Sequence, residues 1–241
     1  MLKKREIILN KELGFNPWFN ILVRPKKTLR AILEHNPNYG LFILSFVYGF
    51  TSIAGLIQNM RLGATIGLYK LMIMLIIIAP IWGYIFFCIS SWFVFHIGKW
   101  FSGRGAYKEI RAAVAWSNVP NIVTFLIWIF LIIIFKKDLF SNVIFEPIKN
   151  KMLSNIFLTV MVIQFVANIW MIVLYFVNIA EAHQFSIWKS FFTIILWIVA
   201  SILLFFIVSI VAKGIISLFL KKREVVFLDK TLVSLGKLFR T

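Results

Sequence analysis

Charge is scarce in this 241-residue chain. Asp, Glu, Lys and Arg together make up 15% of it and apolar residues 61%, whereas a soluble domain is roughly a quarter charged. That balance excludes an ordinary water-soluble globular domain. Cysteine is nearly missing: the one copy, Cys88, excludes an intrachain disulfide and argues against a thiolate metal site. Acidic residues are few, nine against 26 basic ones, and the only aspartates, Asp138 and Asp229, lie in different segments. Phosphoryl-transfer and metal-assisted chemistry need clustered carboxylates, and no HExxH, GxSxG, P-loop or GxGxxG pattern occurs. The reading is therefore of a non-enzyme, with no catalytic residue, no metal ligand and no cofactor.

What the chain has in abundance is uncharged length. Charge-free runs separate Glu34 from Arg61 (26 residues) and fill Leu71–Gly98 (28), Ala112–Phe135 (24), Met152–Ala180 (29) and Ser190–Ala212 (23). A helix crosses a bilayer core with roughly 20 mainly apolar residues, so these read as five transmembrane helices, at about 40–59, 71–95, 119–135, 156–179 and 190–212. The fold class expected is an all-α integral membrane protein, a five-helix bundle with short interfacial helices. Connections this short leave no room for a separate soluble domain. The first span carries Ser45, Gly49 and Ser52 at helical spacing, a seam for close approach of a neighbour, and Pro80 interrupts the second near its middle.

The net charge of +17 asks for an anionic partner. Because the basic residues sit in short segments between apolar spans, anionic lipid fits and nucleic acid does not. Residues 1–39 form a basic tail in which Pro25 can open an interfacial helix, Pro25–Glu34, with Trp18 and Phe19 as anchors. The N-terminus has basic residues but no apolar stretch after them, so no cleaved secretion signal is expected. Residues 213–241 repeat Val225, Leu228, Leu232, Leu235 and Phe239 at helical spacing among cations, the pattern of a basic amphipathic tail on the membrane surface. Lys and Arg tie at thirteen on each side of a five-span arrangement. The first helix usually dominates orientation, and on that ground the N-terminus is placed in the cytoplasm.

Ionisable groups inside spans would mark a proton-coupled carrier or membrane enzyme, and the five runs hold no acid, lysine or arginine. They hold one polar pattern. Gln164, Asn168, Tyr175 and Asn178 fall within an arc of about 80° on the fourth span. This face should turn into the bundle, either for hydrogen bonds between helices or as the lining of a polar path. His96 and His35, at span ends, read as headgroup or loop contacts.

Two polar connections stand out. One runs from Gly103 through Arg104, Gly105, Tyr107, Lys108, Glu109, Arg111, Ala115-Trp116-Ser117 and on to Pro120; the other holds Glu181, His183, Ser186, Trp188 and Lys189. Both connections lie on the same face of a five-span arrangement, so Glu181 or His183 could pair with Arg111 or Lys108. With Asn16-Pro17-Trp18 and Arg24-Pro25 upstream, these residues make the chain resemble the Yip family of Ypt/Rab-interacting membrane proteins over about residues 15–212. The resemblance implies five spans, a cytoplasmic N-terminus and no cofactor. Eukaryotic relatives act in vesicle traffic between endoplasmic reticulum and Golgi by binding Rab-type GTPases and one another. This chain has only about 39 residues before its first span, without their long cytoplasmic tail. It resembles the shorter prokaryotic branch, which makes GTPase binding doubtful here and points to the prokaryotic cytoplasmic (inner) membrane.

The expectation is a multi-span membrane organiser that assembles with itself or other membrane proteins and engages anionic lipid. The alternative is a small passive transporter or lipid-handling protein using the polar face of the fourth span.

Overall fold

A computed structural model describes residues 16–141 and 151–238. Lys3, Lys4, Arg5, Lys11 and Phe239 lie outside the described residues, as do the side chains of the C-terminal apolar repeat. Among the described residues the structure is helical, without strands. The protein is an all-α membrane bundle.

Two short helices come first, α1 (Pro17–Val23) and α2 (Pro25–His35). Each opens on a proline, whose missing N–H costs nothing in a first turn, and the Asn16 side chain accepts from the Trp18 amide, 3.0 Å, to cap α1. Buried Thr28, Leu29 and Ile32 seat α2, while Arg24, Lys26 and Lys27 are exposed.

The long helices follow: α3 (Leu41–Asn59), a 3₁₀ turn (Leu62–Ala64) and α4 (Leu68–Trp100). Helices α3 and α4 pack through two glycines. A Cβ on Gly49 would run into the Ala79 carbonyl, and one on Gly83 into the Ser45 carbonyl, so the two backbones touch where no other residue would let them. The Trp82 indole donates to Ser52 Oγ along the same seam, 3.2 Å. Pro80 lies inside α4, which continues through it.

The third crossing is broken. Helix α5 (Tyr107–Ser117) and helix α6 (Asn121–Phe135) meet at 47° across Asn118-Val119-Pro120. Helix α6 has 15 residues, about 22 Å at 1.5 Å per residue, less than the roughly 30 Å hydrocarbon core. With the apolar second half of α5 counted in, the bent pair is long and apolar enough to cross. A short helix, α7 (Asp138–Ser141), precedes α8 (Lys151–His183) and α9 (Ile187–Leu238). Helices α3, α4, α8 and the first half of α9 are long and apolar enough to cross a membrane, and the bent α5–α6 pair makes a fifth span if counted as one.

The chain divides into two units, with the boundary after Ile194. In the first, Phe50, Ile57, Leu71, Leu75, Trp128 and Phe140 anchor one apolar core, the last two stacked at 6.1 Å. The second unit carries the rest of α9, where Phe205, Phe206, Ile207 and Ile210 are among the exposed apolar side chains.

Candidate functional site

The polar connections meet at the end of the bundle that carries α1 and α2, and each begins with the same backbone device. After α4, Ser102 takes a left-handed φ of 63°. The Gly103 amide then reaches back to the Gly98 carbonyl (2.9 Å) and the Ser102 amide to that of Lys99 (3.0 Å). After α8, Gln184 has φ 56°, the Phe185 amide bonds the Ala180 carbonyl (3.1 Å) and the Gln184 amide that of Glu181 (3.2 Å). Both are Schellman caps, which satisfy the last carbonyls of a helix.

These caps interlock around His183. Its ring is fully buried and stacked on Phe185 at 4.9 Å and 7°. Nε2 lies 3.3 Å from the Val94 carbonyl, and Nδ1 is buried without a hydrogen-bond partner. Gly98 and Gly103 border the ring so closely that a Cβ on either would collide with it, and one on Gly105 would strike the Ala182 carbonyl. The backbones are tied as well: the Arg104 amide donates to the His183 carbonyl, 3.0 Å, and Lys189 Nζ to that of Phe101, 3.2 Å.

The rest of the first motif orients α5. Glu109 Oε2 accepts from the Ala106 amide, 2.7 Å, satisfying a donor that the helix start leaves free. Tyr107 donates its hydroxyl proton to the Cys88 carbonyl, 3.0 Å. Arg111 donates from Nη1 to Tyr84 Oη (3.2 Å) and from Nη2 to Asn38 Oδ1 (2.7 Å). Trp116, fully buried, stacks on Tyr39, meets Trp18 at a tilt of 43° and donates its indole N–H to the Tyr39 carbonyl, 3.1 Å. Pro120 closes the break before α6.

Glu181 is paired with Arg30 at 2.6 Å, not with Arg111 or Lys108. The sequence points to the nearer motif, whereas the fold delivers a cation from 151 positions upstream on α2. His183, the other candidate for that pairing, is enclosed by glycines and apolar rings instead.

The four polar residues of the fourth span do not share one environment. Asn178 and Tyr175 are buried. Asn178 Nδ2 donates to Ser117 Oγ (3.1 Å) and Asn118 Nδ2 to Tyr175 Oη (2.8 Å), so both meet the break between α5 and α6. Gln164 is half-buried and Asn168 exposed. Reading the sequence missed Arg30, Asn38, Tyr84, Gly98 and Asn118 as partners here. Of these Asn38, in Asn36-Pro37-Asn38, and Asn118, two residues before Pro120, carried a local signal of a break.

A family model, the Yip1 domain, matches residues 19–210. The chain belongs to the Yip1 domain family. No curated protein and no solved structure matches it. The Yip1 match runs from α1 into α9 and takes in the motif residues of both polar connections, Gly103–Pro120 and Glu181–Lys189.

Chemically, this end of the Yip1 domain is a set of caps, stacks and glycine contacts. A shallow cavity of about 260 Å³ opens between α2, the start of α5 and the end of α8, with Arg30, Glu34, Glu109, Glu181 and Gln184 on its walls. Among the described residues no group of three or more His, Cys, Asp or Glu side chains is arranged to hold a metal ion.

Proposed function

We propose that this Yip1-domain protein is a non-enzymatic organiser of a prokaryotic cytoplasmic membrane. In this reading it assembles with other membrane proteins or with itself and grips anionic lipid through its basic end, the N-terminus facing the cytoplasm. One observation carries the lipid part. Phe19 and Val23, one turn apart on α1, are 71% and 79% exposed, and the exposed cations Arg24, Lys26 and Lys27 follow at once. An apolar pair beside a cation cluster is the makeup of an interfacial anchor for an anionic leaflet. The commitment of Asn178 and Tyr175 to hydrogen bonds within the bundle supports assembly over a polar path along the fourth span.

Amide exchange over residues 17–35 in nanodiscs tests the anchor. Exchange should be slower with phosphatidylglycerol than with phosphatidylcholine, and the difference should vanish in Phe19→Ser/Val23→Ser/Lys26→Gln/Lys27→Gln. Equal exchange in both lipids would sink this reading. Cross-linking in native membranes then identifies the neighbours; capture of no membrane protein, this one included, would count against assembly.

A further inference from the structure

Most cations at this end of the bundle project into solvent, but Arg111 does not. Its guanidinium lies 5.7 Å from the Tyr84 ring and 5.9 Å from the Tyr107 ring, its Nε is buried without a partner, and its two hydrogen bonds go to a phenol and an amide. Among the described residues no carboxylate pairs with it; Glu181 is taken by Arg30. The charge is thus held in place by neutral groups alone.

Its position makes that arrangement costly without an anion. Tyr84 stands halfway along the charge-free run Leu71–Gly98. It is 44% exposed, and its neighbours Ile81 and Ile85 are exposed too, so this flank of α4 faces lipid. A cation beside hydrocarbon is paid for only by a partner or by access to headgroups. Asn38, which holds Nη2, adjoins Tyr39 of the Trp18–Tyr39–Trp116 ring cluster, of the kind found at headgroup level.

We propose that Arg111 is the seat of a phosphate group, supplied by a lipid headgroup or by free phosphate. Five N–H donors belong to a guanidinium. Two are spent here, and each Nη keeps one hydrogen, the pair that a phosphate accepts as a fork. Tyr84, Tyr107 and Asn38 fix the plane of the fork beforehand, and the exposed Lys108, three residues earlier on α5, adds a second cation on the same helix face. This extends the lipid part of the proposed function from a diffuse basic flank to one stereospecific site.

The test is phosphatidylglycerol binding to the full chain in neutral detergent, read as lipid retained per protein by native mass spectrometry. Wild type should hold one lipid tightly; Arg111→Gln should bind it about tenfold more weakly, the loss of roughly one charge-assisted hydrogen bond. Asn38→Leu, which keeps the charge but frees the fork, should weaken it about threefold, a fraction of that hydrogen bond. Excess inorganic phosphate separates the sources: displacement of the lipid shows that free phosphate fills the seat, and no displacement assigns it to the headgroup. Lys26→Gln/Lys27→Gln should lower total lipid uptake and leave the one tight lipid in place, so the flank reading can fail alone. Unchanged affinity in Arg111→Gln overturns the proposal. If that variant does not fold, unchanged affinity in Asn38→Leu does so.

Discussion

Asn168 and Asn178 lie on one helix, ten positions apart, and their fates differ. Asn178 is fully buried and bonded to Ser117; Asn168 is exposed. The C-terminal part of α8 is fastened at every level, by amides at the break of the third crossing, by His183 between glycines and by a Schellman cap. The part before it presents Val162, Phe165, Val166 and Ile169 outward. Polar side chains within a span are committed where a neighbouring helix is interrupted, because an interrupted helix has free backbone groups and displaced side chains to satisfy. Along the part of α8 that meets no such interruption, Asn168, in the same arc of about 80°, stays exposed.

Filling the space beside His183 should erase the difference most thoroughly. In Gly98→Val the new side chain must displace the imidazole, at a cost of about 3 kcal/mol for overpacking a closed site. Thermal unfolding in detergent checks this. His183→Ala alone should also destabilise, yet the double variant should lose less than the sum, with a coupling of at least about 1 kcal/mol. Additive losses would mean that the ring and the glycine do not share that space.

The two asparagines offer the direct contrast. Asn178→Leu leaves Ser117 Oγ without its donor and should cost about 1 kcal/mol, whereas Asn168→Leu should stay within about 0.5 kcal/mol of wild type. A reversed order would remove the distinction between the two parts of α8. A third change works in the opposite direction. Gln184 occupies a left-handed position without being glycine, so Gln184→Gly should stabilise the fastened end by up to about 1 kcal/mol. A lower unfolding temperature in that variant would mean that the Gln184 side chain contributes more than its backbone strain costs.

How much of this was legible beforehand follows from the range of each interaction. Uncharged runs report the crossings because a lipid core penalises charge residue by residue, and the composition of Leu71–Gly98 is enough to read α4 as a helix that crosses. The broken crossing was harder. The third run starts at Ala112, in the middle of α5, and continues to the end of α6, so a charge count joins the two helices and does not show the 47° bend between them. A helical wheel placed Gln164 and Asn178 on one face, but a wheel holds angles and not neighbours, and the interruption at Asn118–Pro120 reaches only one end of that face. His183 showed no local sign of burial, since its enclosure depends on two glycines more than 75 positions away. The motif residues were recognisable as a set through resemblance, while their roles as caps, stacks and spacers depend on contacts that no single segment contains.

The smallest effect should come from the ion pair, although it joins the most distant segments. Arg30 is 66% exposed at its side chain and Glu181 only 14%, so water screens one partner, and exposed pairs of this type contribute about 0.5 kcal/mol or less. Arg30→Gln should therefore leave unfolding in detergent nearly unchanged at moderate salt. Charge reversal is more discriminating. Arg30→Glu puts two carboxylates together and should destabilise slightly, and Glu181→Arg in the same chain should restore wild-type behaviour, with the rescue shrinking as salt rises. Arg111→Glu combined with Glu181→Arg should show no such rescue, because Arg111 is fastened to Asn38 and Tyr84 and a new arginine at 181 faces α2 rather than it. Rescue of the second pair and not the first would mean that the two polar connections join through charge after all, and that α2 is held to the bundle by its buried Leu29 and Ile32 alone.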